Sequence, residues 1–310
     1  MISMLEICLR AQAGETIKAE VFDLDIVFAN ARKLSKQYNI VYDPQTPVPS
    51  DDDLADRTYQ AAVDFVVNVG VFCPDTNKVI KFSREEVLDA VSNSRGRCIM
   101  GEGKDSFEWT PRLPDSDTQP WYHVGTGIIA SDDRIAFDLV RAYAGIKQAN
   151  SVSVPALEKI DGHLVASGTP SEILGAIRGI KIAREALTHA GRPGLAIGNL
   201  VSTAGTHEAA IAASGPQFGL RPSDGWLVGA LAEMKFNMGT LNKATYLASW
   251  GANIGSESGP LVGGYAGGPA GVAILNVAYR LVGLLVLNCD YHLTFPVHIS
   301  KACSTPRDVL

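Results

Sequence analysis

Apolar positions follow two different patterns along the chain, and the pattern changes near residue 110. Before this point the spacing predicts a helix from Asp53 to Val69, an extended segment at 79–82 and a second helix that ends near Ser92. From Trp121 onward, short apolar runs alternate with helical stretches. This alternation is typical of βα units that build a parallel sheet. We therefore predict a helical N-terminal region, residues 1–110, and a β/α region, residues 111–310.

The β/α region contains about six predicted units. The predicted strands lie near residues 121–128, 151–155, 194–198, 227–232, 252–256 and 286–298. The predicted helices lie near residues 132–149, 170–190, 204–214, 238–250 and 269–286. No GxGxxG motif follows the first strand and no ribose-binding acid is evident, so the pattern favours a barrel over a doubly wound sheet.

Helix start signals support three of these boundaries. Ser83-Arg84-Glu85-Glu86 reads as a capping box, and Ser131-Asp132-Asp133 reads as an acidic N-cap. Thr169-Pro170-Ser171-Glu172 reads as an N-cap, a proline at the first helical position and a capping-box glutamate. Each signal predicts a helix that begins at the next residue or two.

The segment from Ala190 to Asn199 has an unusual ending. A helix stops at glycine and proline, a short apolar strand follows, and the strand ends at Gly198, which has no side chain. In parallel barrels the C-terminal ends of the strands carry the chemistry. Gly198 is therefore a candidate site position, although a glycine at a strand end can also serve only a tight turn.

Composition narrows the class of protein. The chain has 310 residues, of which 46% are hydrophobic and 19% charged, and a net charge of −6. No cluster of basic residues is interleaved with aromatic ones, which argues against nucleic-acid binding. Val272 to Leu287 is the longest apolar run, but Asn276 and Arg280 interrupt it, so it predicts a buried helix rather than a membrane span.

The five cysteines are scattered and form no CxxC pair, which argues against a disulfide framework and against a thiolate zinc site. The N-terminus lacks the basic start and the cleavage site of a signal peptide. We therefore expect a soluble protein of the reducing cytoplasm.

Four segments resemble, in order, segments of the methanogen monomethylamine:corrinoid methyltransferase family. They are GVFCPDTNKVIKFSREEVLDAV (70–91), AGRPGLAIG (190–198), GGYAGG (263–268) and FPVHI (295–299). The resemblance implies an α/β fold, a TIM-type (β/α)8 barrel. Because only about six βα units are predicted, we expect this barrel to be truncated and the chain to be C-terminally incomplete.

The resemblance departs from the family at one position. Where the family carries pyrrolysine, this chain has Gly198. In the family, the pyrrolysine imine captures the amine and presents its methyl group to Co(I) of a partner corrinoid protein. Glycine cannot form this adduct. The substitution implies a wider cavity without a covalent anchor, suited to a bulkier and already charged methyl donor.

Of the two active-site glutamates of the family, this chain matches one and lacks the other. Glu257, in a glycine- and serine-rich segment, matches one of them, and a carboxylate there can hold an ammonium group or accept a proton. Leu227 stands where the second glutamate should be, so one of the two acids is lost. Glu233 matches a family glutamate further along, for which a structural role is expected. The alternative for Glu257 is a solvated loop glutamate.

Gly263-Gly264-Tyr265-Ala266-Gly267-Gly268 lacks the lysine of a P-loop, so we interpret it as a tight βα loop. The helix beyond it offers backbone amides to an anion or to the polar edge of the corrinoid, which makes Gly264, Tyr265 and Gly267 binding candidates. His298 in PVHI is a candidate for hydrogen bonding to substrate or corrinoid. A metal site shared by His292 and His298 would need a third ligand, so no metal is expected.

The resemblance implies a methyltransferase that moves a methyl group from a methylated amine to Co(I) of a partner corrinoid protein. The cofactor would be carried by the partner, none would be bound directly, and the chain would form a homo-oligomer. Two alternatives remain. One is a TIM-barrel lyase or hydrolase that uses Glu257 and His298 as acid and base, and the other is an inactive fragment.

Overall fold

The structure is a computed structural model that describes residues 2–113, 116–125, 127–199 and 205–294. Its packing divides the chain into two units, each assembled from separate stretches of sequence. Unit 1 comprises Met1–Ser94, Gly229–Leu241 and Ser256–Leu310, and unit 2 comprises Arg95–Val228 and Asn242–Gly255. The division of the chain near residue 110 stays a prediction.

Helices occupy both units and are named in chain order. Those in the described residues are α1 (Met4–Ala13), α2 (Ala19–Val21), α3 (Ala29–Gln37), α4 (Asp52–Val69), α5 (Arg84–Ser92), α6 (Asp133–Ala144), α7 (Pro170–His189), α8 (His207–Ala213), α9 (Met238–Ser249) and α10 (Pro269–Val282). Two π-helical segments, Phe22–Phe28 and Gly283–Leu287, continue α2 and α10 without a break. The first three helices lie in the predicted helical N-terminal region, in a part where the sequence pattern placed no individual helix.

Strands are short throughout the described residues. They are β1 (Glu15–Thr16), β2 (Val71–Cys73), β3 (Lys78–Ile80), β4 (Cys98–Met100), β5 (Phe107–Trp109), β6 (His123–Val124), β7 (Ile129–Ala130), β8 (Ser151–Val152), β9 (Ala156–Leu157), β10 (Lys159–Ile160), β11 (His163–Leu164), β12 (Ala196–Asn199), β13 (Gly225–Gly229), β14 (Asn253–Ser258) and β15 (Tyr291–Thr294).

Six of these strands form the main sheet, in the order β15-β14-β13-β12-β8-β6. The pairs β6/β8, β8/β12 and β12/β13 are parallel. Neighbours in the sheet follow one another along the chain, as expected when each βα unit adds a strand beside the last. The sequence prediction of an α/β fold is confirmed, and the strand order is consistent with part of a TIM-type barrel.

The helix start signals have mixed outcomes. At α5, Ser83 Oγ accepts from Glu86 N at 3.1 Å, and Ser83 N donates to Glu86 Oε2 at 2.8 Å, which completes the predicted capping box. At α6, Asp132 Oδ1 accepts from Ile135 N at 2.9 Å, as predicted. At α7, Pro170 is the first helical residue, but the predicted capping box of Thr169 is wrong, since Thr169 makes no side-chain cap.

The apolar run 272–287 lies in the core of unit 1. It forms α10 and the π-helical turn after it, and α10 packs against α3, α4 and α5. Within the described residues, Pro269–Leu287 is the one helix long and apolar enough to cross a membrane, and 72% of that stretch is buried inside protein. This burial confirms the prediction of a core helix.

In unit 2, helix α7 packs against both α6 and α8. Its buried face is made of small and aliphatic residues, among them Gly175, Ala176, Gly179, Ile180 and Ala183. After α7 the chain turns at Gly191, whose φ of +72° places it in the left-handed region that favours glycine. The strand β12 begins five residues later, so the predicted order of helix, turn and buried strand is confirmed.

Candidate active site

Gly198 lies inside a strand and not in a turn. It is the third residue of β12, where it pairs with Gly225 of β13. Its φ lies outside the left-handed region, so the backbone conformation there is one that any residue can adopt. The three residues before it, Leu195, Ala196 and Ile197, are completely buried. The need for a tight turn therefore does not explain the glycine.

The space beside Gly198 is filled by the ring of His123. A Cβ atom added to Gly198 would lie 2.8 Å from His123 Cε1, closer than Cβ atoms approach other heavy atoms in proteins, and 3.0 Å from Nδ1, which is also a tight contact. Both residues belong to unit 2. The structure therefore shows no open space at the first side-chain atom, where the sequence predicts a wider cavity, because two imidazole atoms lie within 3.0 Å of that point.

His123 is held by two serines of the neighbouring strand. Its Nδ1 lies 2.7 Å from Ser151 Oγ, and its Nε2 lies 2.7 Å from Ser153 Oγ. Burial lowers the pKa of His123 to about 4, so the ring is neutral near pH 7. A neutral imidazole has one N–H and one lone pair, so one serine accepts a hydrogen bond from the ring and the other donates one.

Two tryptophans support the same ring. The centroids of Trp121 and His123 are 5.2 Å apart with an interplanar angle of 26°. Trp109 lies on the other face of Trp121, at 4.5 Å and 14°. Stacked aromatic pairs add stabilisation beyond the area they bury. The three rings form one column, hereafter the ring column, with His123 at the end next to Gly198.

Leu227 takes its place in β13 with its side chain 2% exposed. Gly225 pairs with Gly198, and Leu227 follows two residues later. Because side chains alternate along a strand, the side chain of Leu227 projects to the face on which a side chain at residue 198 would lie. This strand therefore brings an aliphatic group, and no carboxylate, to the face on which Gly198 lies.

A buried aspartate fixes the backbone next to Gly198. Asp224 is fully buried and accepts a hydrogen bond from Ile197 N at 2.9 Å and another from Arg221 N at 2.7 Å. Its carboxylate also pairs with the guanidinium groups of Arg184 and Arg221. Burial lowers the pKa of Arg184, and the adjacent carboxylate opposes that shift. Asp224 thereby joins the start of β13 to the middle of β12.

Glu172 connects α7 to the start of α8. Its carboxylate accepts from Gly168 N at 2.8 Å, Gly205 N at 2.5 Å and Thr206 N at 3.0 Å, and from Thr206 Oγ1 at 2.9 Å. Burial raises its pKa, but these donors outweigh burial and leave the pKa below its usual value. The predicted capping role is wrong because the carboxylate is engaged in this tertiary contact.

Glu257 lies in β14, in the part of the strand that belongs to unit 1. Its carbonyl oxygen accepts from Ala230 N at 2.9 Å, which fixes its backbone. Ser256 and Ser258 on either side are 2% and 3% exposed, whereas Glu257 is intermediate in exposure. The side chain of Glu257 therefore projects from the face opposite to that of the two serines.

The two serines beside Glu257 hold a second histidine in the same way. His292 Nδ1 lies 2.7 Å from Ser256 Oγ, and His292 Nε2 lies 3.3 Å from Ser258 Oγ. Burial and the nearby Arg280 lower the pKa of His292 to about 4. Arg280 also donates to Cys289 Sγ at 2.9 Å. The arrangement of a histidine between Ser-X-Ser residues therefore occurs twice in the described part of the chain.

Glu233 is fully buried in unit 1. Its carboxyl group contacts Tyr279 Oη at 3.0 Å and accepts from Leu261 N at 3.1 Å. Burial raises the pKa of Glu233. These contacts connect the segment after β13 to α10, in keeping with the structural role expected for this residue.

The glycine-rich segment forms a closed turn before α10. Gly263 N donates to Gly267 O at 2.8 Å, and φ is +78° at Gly263 and +77° at Gly267. Tyr265 is 41% exposed, and Lys235 Nζ lies 5.9 Å from the centre of its ring. A Cβ added at Gly264 would lie 2.9 Å from Leu261 Cβ. These residues form the tight loop that the sequence indicates.

The structure does not test the predicted role of His298 or its pairing with His292. His298 lies outside the described residues, and so does its pairing with His292. Among the described residues there is no group of three or more His, Cys, Asp or Glu side chains that could hold a metal ion. In the described part of the chain, Cys8, Cys73 and Cys289 form no disulfide.

Sequence reasoning missed His123 and Asp224, and it gave Glu172 only a local capping role. His123 and Asp224 belong to no motif, and each of the three residues makes a contact with a residue far along the chain. The alternation Ser151-Val152-Ser153 was the available signal for the histidine, because two polar residues on one face of a buried strand require a polar partner.

Comparison with known proteins identifies the family. The sequence pattern of the family described as monomethylamine methyltransferase MtmB matches residues 2–310. The chain is 25% identical over 303 residues to monomethylamine methyltransferase MtmB3 of Methanosarcina barkeri. It is 27% identical over 306 residues to MtmB2 of Methanosarcina acetivorans, and each alignment covers 97% of this chain and 65% of the relative.

Solved structures agree with the sequence matches. The crystal structure of the M. barkeri monomethylamine methyltransferase (MtmB) superimposes with a TM-score of 0.90 at 25% identity, over 95% of this chain and 64% of that one. A crystal structure of a hydroxylamine MtmB complex superimposes equally well. The chain thus spans about 65% of the length of the relatives it matches. Since the family pattern covers almost all of its residues, the chain belongs to the monomethylamine methyltransferase MtmB family.

Proposed function

We propose that this chain is a corrinoid-dependent methyltransferase in which glycine replaces pyrrolysine. It would transfer a methyl group from a methylated amine to Co(I) of a separate corrinoid protein. Family membership over residues 2–310 is the observation that carries the proposal. The TIM-type barrel of eight βα units is part of the same proposal, since the structure describes six strands of the main sheet.

The partner's corrinoid would supply the cobalt nucleophile that takes the methyl group. The residues of this chain would bind and orient the donor. Glu257, partly exposed and with its backbone fixed by Ala230, would hold the cationic nitrogen by charge attraction, and by charge-assisted hydrogen bonds where the donor carries an N–H group. Gly198 has no reactive group, so the donor would be bound without a covalent bond at that position. Tyr265, Gly264 and Gly267 remain candidates for contacts with the donor or the corrinoid.

Two observations make unanchored binding physically coherent. The imidazole of His123 is uncharged near pH 7, so it does not repel an ammonium donor. The adjacent strand presents Leu227 in place of an acid. A site that forms no imine adduct has no need for the second acid that the family uses to protonate and orient one. The alternative of a lyase or hydrolase depends on His298, and no described contact favours it.

The test is methyl transfer by the purified chain. Reduced corrinoid protein from a relative is mixed with the chain and with monomethyl-, dimethyl-, trimethyl- and tetramethylammonium, and cobalt methylation is followed by absorbance. We expect methylation with at least one donor and no donor turnover when the corrinoid protein is omitted. Turnover without any cobalt species would refute the proposal, and so would the absence of methylation with every donor.

Replacing Glu257 by glutamine is expected to reduce kcat/KM by about ten- to a hundredfold, the value of one hydrogen bond to a charged group. The free energy of unfolding should change by no more than about 0.5 kcal/mol, because glutamine keeps the size of this partly buried side chain. Steady-state kinetics and chemical denaturation measure the two quantities.

The matched control for this change is Glu85→Gln, an exposed glutamate of the same unit in the first turn of α5. It should alter neither quantity. An unchanged kcat/KM in Glu257→Gln would remove the residue from the site. A loss of several kcal/mol of stability would assign it a structural role instead.

A further inference from the structure

The glycine at position 198 is explained by its neighbour. The backbone there would accept any residue, yet the position of a Cβ atom lies within 3.0 Å of two atoms of His123 and 3.6 Å from Ser151 Oγ. Gly191, by contrast, needs glycine for its φ of +72° and has nothing within 4 Å of an added Cβ. The exclusion of a side chain at position 198 is therefore a matter of space and not of backbone conformation.

The imidazole cannot easily move out of that space. Both ring nitrogens are engaged by serines at 2.7 Å, and one face is covered by Trp121. A rotation about the side-chain bonds would break the ring contact and both part-buried hydrogen bonds, and these bonds engage two buried serines. Buried polar groups left without partners are costly, so the ring is held where it is.

We propose that His123 is the specificity-determining residue of the site. Its ring fills the volume that a side chain at residue 198 would need. The chain must therefore bind its donor without a covalent anchor at residue 198. The proposal rests on the methyltransfer function proposed above. It makes positions 123 and 198 a coupled pair, in which a side chain larger than glycine at one requires a smaller side chain at the other.

The first test is a double-mutant cycle on the full chain, read by thermal unfolding. Gly198→Ala is expected to lower Tm, because the new methyl group would overlap the imidazole. The same change in the His123→Ala background should cost much less, since the ring is absent. Contacting residues are expected to show such non-additivity.

Two matched variants control for the cycle. His292→Ala removes a histidine held by a Ser-X-Ser pair in the same manner, with Nδ1 also 2.7 Å from a serine, but from a different pair of strands. It should leave the cost of Gly198→Ala unchanged. Gly229→Ala adds a methyl group at the end of a strand where nothing lies within 4 Å, and it should cost the same with and without His123.

The second test measures how accessible position 198 is to reagents of different size. A cysteine is placed at position 198, and its labelling by methyl, ethyl and benzyl methanethiosulfonate is timed, with the unlabelled background set by the wild-type thiols. Gly198→Cys in the His123→Ala background should react about tenfold faster than in the His123 background. The ratio should grow with the size of the reagent.

Equal labelling rates in the two backgrounds would overturn the proposal, and so would additive effects on Tm. Faster labelling together with non-additive melting supports it. Neither measurement uses methyl transfer. A chain that methylates no corrinoid but passes both tests would therefore refute the proposed reaction while leaving the steric coupling of residues 123 and 198 established.

Discussion

Replacing Asp224 by alanine is expected to lower the free energy of unfolding by about 3–5 kcal/mol. Asp224 is fully buried, and its removal leaves the guanidinium of Arg184 without its carboxylate in a buried setting. The backbone N–H of Ile197 loses its acceptor as well. The free-energy costs of the unpaired buried charge and of the unsatisfied donor add, because each group is removed from water and has no partner in the protein. Urea denaturation followed by circular dichroism measures the change.

The matched control is Glu108→Ala, which breaks the ion pair of Glu108 with Arg97 in the same unit. The side chains of that pair are 50% and 73% exposed, so its loss should cost no more than about 1 kcal/mol. If Asp224→Ala cost as little as Glu108→Ala, the buried network would not be what fixes β12. Reduced methyl transfer in a well-folded Asp224→Ala protein would likewise contradict a purely structural role.

The protein is expected to lose stability steeply as the pH falls from about 6.5 to about 4. Burial lowers the pKa of both His123 and His292 from 6.5 to about 4. In this window the unfolded chain binds a proton at each histidine and the folded chain does not, so unfolding is favoured as the pH falls. Each histidine accounts for about 3 kcal/mol of this loss. The carboxylates with lowered pKa, Glu172 among them, act at lower pH, below their usual 4.5.

The measurement is the free energy of unfolding at pH 4.5, 5.5, 6.5 and 7.5. His123→Asn and His292→Asn should each reduce the slope between pH 4.5 and 6.5 by about one proton. His163→Asn, the same substitution at an exposed histidine of unit 2, is measured beside them as the control. A slope that neither His123→Asn nor His292→Asn changes would show that both rings titrate alike in the folded and unfolded chains.

Local signals in the sequence predicted local structure well. The capping box of Ser83 and Glu86 and the cap of Asp132 involve residues three apart, where no distant group competes for the side chain. Glu172 carries the same signal, yet its carboxylate binds Gly205 and Thr206, more than 30 residues away. The pattern could not show this, because the competing donors become neighbours only in the folded chain.

The site shows the same limit. The order of helix, turn and strand placed Gly198 correctly, because it depends on local breakers and periodicity. The occupant of the space beside Gly198 comes from β6, about 75 residues earlier, through the strand order of the sheet. The last predicted strand began too early, since the chain continues α10 as a π-helical turn through Leu287 before β15 starts at Tyr291. Tertiary packing, not local preference, decides which residue lies beside Gly198 and where the last strand begins.

The ring column also gives the protein an intrinsic spectroscopic signal, because two of its three rings are tryptophans. Trp109 and Trp121 are stacked face to face at 4.5 Å, close enough for their indole transitions to couple, whereas Trp226 and Trp250 meet edge to face at 5.6 Å. An exciton band in the circular dichroism spectrum of the stacked pair would report the state of the column. Because His123 closes the end of that column, a side chain added at residue 198 that shifts the imidazole is expected to change the circular dichroism of the tryptophan pair.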